Sequence, residues 1–180
     1  MHITVYCGSN YGTKAIYPQV ARELGTWIGS NQHTLVYGGS QNGLMGILAD
    51  ACVEAGGTII GVLPDVLKDQ EEPHPALSEM IRVSTMSERK DILFDLGDAF
   101  IALPGGPGTL EEMVDVISWG RIGLHAQPCI FLNIDHYYAA IYEQYQHMVH
   151  EGFISAEVVA NVYWIHSVYE LTRILSQAPL

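Results

Sequence analysis

Apolar residues along the 180-residue chain fall into short blocks of two alternating kinds. Runs rich in β-branched, aromatic and aliphatic residues at 3–7, 35–37, 58–63, 81–83, 99–103, 129–132 and 162–165 read as strands. Between them, apolar residues three and four apart predict helices over about 16–28, 44–54, 89–96, 109–119, 137–150 and 169–175. Val20, Leu24, Trp27 and Ile28 form the stripe of the first helix; Ile47, Leu48, Ala51 and Cys52 form that of the second. Glycine and proline punctuate the pattern at Gly8-Ser9-Asn10, Gly38-Gly39, Gly56-Gly57, Pro64 and Pro104-Gly105-Gly106. The acidic, proline-containing stretch 68–75 reads as a loop.

Short, continuously apolar strands separated by helices mark a parallel sheet covered on both faces. The expected fold is α/β: a Rossmann-like, doubly wound parallel sheet in three αβα layers, with residues 1–180 as a single nucleotide-binding domain. Its ligand should sit beyond the carboxyl ends of the strands, where the strand order reverses.

Composition narrows the function. Hydrophobic residues make up 48% of the chain and charged residues 16%, which excludes a disordered segment. With 20 acidic and 8 basic side chains the formal charge is -12, so neither nucleic acid nor an anionic membrane surface is an expected partner. Cys7, Cys52 and Cys129 are scattered through apolar segments without a CxxC pair, which suits buried free thiols in a reducing cytoplasm. The opening residues read as a strand rather than a secretory signal, and no apolar run approaches the ~18 residues of a membrane span. His147 and His150 lie three apart but lack a carboxylate partner, so no metal is expected. The tyrosines at 137, 138, 142 and 145 read as core or interface.

Three features carry chemistry. Glycine turns close three strands: Gly8-Ser9, Gly38-Gly39 through Gly46, and Gly105-Gly106-Pro107-Gly108-Thr109. Glycine lets backbone N–H groups approach an anion, and the helix that follows offers free donors and a positive dipole end. The third turn reads best as a phosphate site, although no Walker lysine follows. Arg89-Lys90 places two of the few cations in the first turn of a predicted helix, capped by Ser87, where they oppose the dipole unless an anion is near. Glu112 follows Thr109 by three, so it reads either as half of a capping box or as a working carboxylate. The expected buried stripe of that helix is Leu110, Met113, Val114 and Ile117, leaving Glu112 off the core.

Residues 104–112, PGGPGTLEE, resemble the PGGxGTxxE signature of the LOG family. Members are cytokinin riboside 5′-monophosphate phosphoribohydrolases and related AMP-type nucleosidases, often labelled lysine decarboxylases. Residues 86–90, MSERK, resemble the family's MHxRK segment. Residues 36–46 resemble its YGG…GLMG turn, and 6–9 its first strand end. Trp119, Gly123, His125, Pro128, Asn133 and Gly152-Phe153 also align. Ser87 stands where the family has His, Ser40 where it has a third Gly, and Pro107 at a variable position often held by an aromatic residue.

The resemblance implies hydrolysis of the N-glycosidic bond of a nucleoside 5′-monophosphate to ribose 5-phosphate and free base, without a cofactor, in a homodimer. It implies catalytic roles for Arg89 and Glu112. Phosphate or ribose contacts would come from Lys90, Gly105, Gly106, Pro107, Gly108, Thr109, Leu110 and Glu111. Gly8, Ser9, Gly38, Gly39 and Met86 would complete the pocket. The other class to weigh is a nucleotide-binding sensor or carrier that does no chemistry; Glu112 discriminates, since a pure phosphate binder has little use for a carboxylate there. Nothing around Lys14, Lys68 or Lys90 suggests a Schiff base with pyridoxal phosphate.

Overall fold

Seven strands, β1 (His2–Tyr6), β2 (Thr34–Tyr37), β3 (Thr58–Pro64), β4 (Glu79–Val83), β5 (Ala99–Ala102), β6 (Cys129–Leu132) and β7 (Val162–Ile165), form one sheet in the computed structural model, which describes residues 1–67 and 71–176. Every pairing is parallel and the order is β4-β3-β2-β1-β5-β6-β7. The chain builds outward from β1 to β4, then returns to lay β5 on the other side of β1. The β1–β5 seam is therefore the switch point. Its register, Ile3↔Ala99 through Tyr6↔Ala102, brings both strands to the same level before their loops depart.

Strand alternation sorts the core into two layers. Ile3, Val5, Ala99, Ile101, Ile130 and Leu132 face α1 (Ile16–Ser30), α2 (Gly43–Glu54) and α7 (Glu170–Leu175). Tyr6, Phe100, Ala102, Cys129 and Phe131 face α3 (Met86–Asp95), α4 (Pro107–Arg121), α5 (Ala139–His150) and α6 (Ala156–Ala160). This is the expected three-layer arrangement. No helix among the described residues is long and apolar enough to cross a membrane.

Several boundaries differ from the sequence pattern for physical reasons. Helix α3 starts three residues before 89, because Thr85 rather than Ser87 caps it: Thr85 Oγ1 accepts from the Glu88 N–H at 3.1 Å and Glu88 Oε2 accepts from the Thr85 N–H at 3.2 Å. Ser87 lies exposed inside the first turn. Helix α4 starts at Pro107, whose fixed φ and missing N–H suit the first helical position. Its buried residues are Thr109, Met113, Val116 and Ile117, and Val114 of the expected stripe faces outward. Helix α5 starts at Ala139 rather than 137, after a turn with Asp135 and His136 at φ 50° and 59°. Helix α6, five residues long, is too short to show a period. Of the predicted loop 68–75, residues 68–70 lie outside the described residues.

Helices α1 and α2 pack with their backbones nearly in contact. A Cβ at Gly25 would overlap the Leu48 carbonyl oxygen, and one at Gly29 the Cys52 carbonyl oxygen. Gly25→Ala should therefore destabilise the chain by about 1–3 kcal/mol despite the better helix propensity of alanine. A fall in the urea midpoint with an unchanged slope checks this; a rise would contradict the packing.

Candidate active site

The loops leaving the β1–β5 seam form the floor of a cleft of about 500 Å³. Gly8 and Pro104 lock them together, the Gly8 N–H donating to the Pro104 carbonyl at 3.2 Å. The cleft collects Gly8, Ser9, Met86, Arg89, Lys90, Gly105, Gly106, Pro107, Gly108, Thr109, Glu111 and Glu112, so most of the residues marked in the sequence converge. Gly105 must lack a side chain, since a Cβ there would overlap Thr109 Oγ1, whereas a Cβ on Gly106 or Gly108 would meet nothing within 4 Å. Space above those two peptides is open for an anion. Among the described residues the Gly105 and Gly106 N–H groups have no protein acceptor.

Helix α3 delivers Arg89 to the cleft floor, 8% exposed. Its guanidinium crosses directly over Gly38 at the end of β2, where a Cβ would overlap Nη2. Gly38 thus makes room for Arg89 and does not line the cleft. Gly39, at φ 81°, also lies outside it; its carbonyl accepts from the His74 N–H at 2.9 Å. Leu110 likewise turns to the hydrophobic layer rather than the cleft.

Glu112 is not a cap. Helix α4 has Gly106 at its N-cap with no side-chain bond, and Thr109 is its buried third residue. The Glu112 carboxylate points inward and stands 4.0 Å from Arg89 Nη1, with 12% of its side chain exposed. That distance is beyond a hydrogen bond. Among the described residues neither Glu112 Oε1 nor Arg89 Nε has a hydrogen-bond partner. Burial raises the Glu112 pKa to about 7, while Arg89 holds it down. A buried carboxyl with a raised pKa and an unspent lone pair in a cleft marks Glu112 as a candidate functional group.

Lys90 is already engaged. Its ammonium sits 3.0 Å from Glu111 Oε1 and 2.7 Å from Asp115 Oδ2, and these bonds raise its pKa well above the usual lysine range. It joins α3 to α4 at the cleft wall.

Two contributors were not legible as site residues. Glu71 enters the cleft from the acidic loop; its Oε2 is buried without a partner among the described residues, and burial raises its pKa against the pull of Arg89. Nothing in its local sequence separates it from its acidic neighbours. His74, 5% exposed, is one of the residues that strap this loop to the β2–α2 turn, its N–H donating to the Gly39 carbonyl. His74 Nδ1 accepts from the Ala76 N–H at 3.2 Å, so the proton is on Nε2, which donates to Asp50 Oδ1 at 3.1 Å. The second contributor is Tyr137, which lines the cleft with its hydroxyl on the Gly105 carbonyl at 2.6 Å. Among the described residues no group of three His, Cys, Asp or Glu side chains is arranged to hold a metal.

Comparison with known proteins gives the chain its family. A family model described as "possible lysine decarboxylase" matches residues 45–175. A cytokinin riboside 5′-monophosphate phosphoribohydrolase of Rhodococcoides fascians is 44% identical over 154 residues, covering 85% of this chain and 78% of that protein. The enzyme of the same name, LOG1, from Arabidopsis thaliana is 43% identical over 153 residues, covering 85% of this chain and 72% of its own. Among solved structures, the molybdenum cofactor carrier protein of Chlamydomonas reinhardtii superposes with a TM-score of 0.73 at 21% identity, covering 98% of this chain and 96% of that one. The molybdenum cofactor binding protein of Rippkaea orientalis gives 0.72 at 21%, covering 97% and 94%. At that identity these two structures speak for the doubly wound fold alone. By the extent of the family model and the identity to these two relatives, the chain belongs to the LOG family.

Proposed function

We propose that the chain hydrolyses the N-glycosidic bond of adenosine-type 5′-monophosphates, with or without an N6 substituent, releasing ribose 5-phosphate and the free base. The observation that carries this reading is the buried Arg89–Glu112 pair beside a glycine turn whose Gly105 and Gly106 N–H groups have no acceptor among the described residues. Cleavage passes through an oxocarbenium-like ribose, which needs a nearby negative charge. The Gly105–Thr109 turn and the start of α4 hold the 5′-phosphate, and that remote binding energy orients the sugar. Glu112 then faces the anomeric carbon or a ribose hydroxyl, stabilises the cation, and takes the proton of the attacking water. Arg89 keeps Glu112 partly ionised. Glu71, protonated more readily because it is buried, is the proposed donor to the departing base.

The decarboxylase description fits the residues poorly. Schiff-base chemistry needs a lysine that loses its proton readily. Lys90 is held protonated by two carboxylates, Lys14 is exposed and paired with Asp135, and Lys68 lies outside the described residues. A sensor or carrier that only binds nucleotide has no need to bury Glu112 at a cost in stability.

A homodimer belongs to the same proposal. Val114, Ile122 and Leu124 stand exposed on α4 and the turn after it, and a second copy would cover them. The three unpaired cysteines fit a cytoplasmic site of action.

Three outcomes test the proposal. Wild-type protein should release ribose 5-phosphate from AMP or N6-isopentenyl-AMP, and Glu112→Gln should lower the rate at least about a hundredfold; nucleotide binding without release would point to the sensor. The folded pKa of Glu112 lies above its unfolded value, so the folded state binds more protons between about pH 4.5 and 7. Wild-type stability relative to Glu112→Gln should therefore fall as pH rises through that window. The inactive variant should gain on the order of 3 kcal/mol on the wild type between pH 4 and pH 8, measured by urea unfolding. Light scattering should show a dimer that Leu124→Asp converts to monomer; a monomeric wild type would remove the dimer from the account.

A further inference from the structure

Three successive carbonyls at the entry to the anion-binding turn are occupied. Leu103, Pro104 and Gly105 accept, in order, from the Tyr138 hydroxyl at 2.6 Å, the Gly8 N–H at 3.2 Å and the Tyr137 hydroxyl at 2.6 Å. Carbonyl oxygens carry the wrong partial charge for a phosphate site. In a trans peptide the C=O and the following N–H point in opposite directions, so fixing one fixes the other. The Gly8 contact thereby sets the Gly105 N–H, and the Tyr137 contact sets the Gly106 N–H. Glycine on both sides of that last peptide gives it the most freedom to rotate.

The two tyrosines are presented by a backbone that needs support. Asp135 and His136 both adopt left-handed φ, a conformation that costs free energy in residues other than glycine. Three ties hold it: the Asp135 carboxylate pairs with Lys14, the Asn133 side chain accepts from the Tyr138 N–H at 2.7 Å, and the Asn133 carbonyl meets the His166 ring at 3.1 Å. Tyr138 is buried, whereas Tyr137 is 43% exposed and lines the cleft, so its hydroxyl is the member of the pair not demanded by core packing.

We infer that Tyr137 is a positioning residue for phosphate: its hydroxyl holds the Gly105–Gly106 peptide with the N–H turned toward the anion. The inference rests on reading this cleft as the site of a nucleotide 5′-phosphate. Tyr137→Phe keeps the ring, which packs edge-on against Tyr17 and Tyr138 at centroid distances of 5.7 and 4.9 Å, and removes only the donor.

The experiment measures ribose 5-phosphate binding by calorimetry, together with kcat and KM for AMP and the melting temperature. Tyr137→Phe should weaken ribose 5-phosphate about three- to tenfold and raise KM by the same factor, with kcat within about twofold and the melting temperature unchanged. A general loosening of the turn would instead lower kcat and the melting temperature together, and that result would overturn the inference. So would ribose 5-phosphate binding as tightly to the variant as to the wild type, with the nucleosidase reading left standing. A wild type that binds neither ribose 5-phosphate nor AMP would overturn both.

Discussion

A guanidinium cannot be buried beside the sheet unless something makes room for it and something answers its charge. Gly38 makes the room, being the residue over which Arg89 passes. Glu112 answers the charge, but from 4.0 Å rather than through a hydrogen bond. Both groups are left with buried polar atoms that find no partner among the described residues. Such an arrangement is costly in an isolated chain, because a buried charge wants full pairing. It becomes reasonable if a ligand completes it. The switch point, the glycine turns and the capping of α3 can all be read as means of bringing these two side chains to one place.

The chain has to bind an anion although its net charge is -12. Side-chain cations do little of the work: Lys90 is neutralised by Glu111 and Asp115, and Arg89 is directed at Glu112. Backbone donors remain, and they serve only if their carbonyls are turned away. Pinning the carbonyls of Pro104 and Gly105 accomplishes that for the Gly105 and Gly106 N–H groups. Under the proposed function, phosphate recognition is a property of peptide orientation more than of charge, which leaves the buried Glu112 free to meet a developing cation nearby.

The strand–helix alternation was readable because the buried strands are continuously apolar and their ends carry glycine or proline. The gathering of Arg89 and Glu112 was readable because both sit in compact motifs beside such ends. Ser87 looked like the cap of α3 because serine is a preferred N-cap residue and stands just ahead of the helix start read at 89. Thr85 won because Glu88 lies three residues beyond it and closes the box. Glu112 kept two readings in sequence because Thr109 three residues earlier mimics a cap; the proline at the start of α4 moved the helix start and removed that option. Gly38 and Gly39 read as pocket in the sequence; in the fold Gly38 gives clearance to Arg89 and Gly39 lies outside the cleft. Glu71 and Tyr137 were invisible as site residues for one shared reason. Each sits on a segment tied down by a contact from far along the chain, His74 on Asp50 for one and Lys14 on Asp135 for the other.

The account stands or falls on burial holding the Glu112 pKa near neutrality. The direct test is a titration of its side-chain carboxyl carbon by NMR in the free protein, assigned by comparison with Glu112→Gln. The account predicts a midpoint near 7, well separated from the exposed carboxylates. A midpoint near 4.5 would mean that Arg89 or water satisfies the group in the resting protein, and would contradict the role proposed for it.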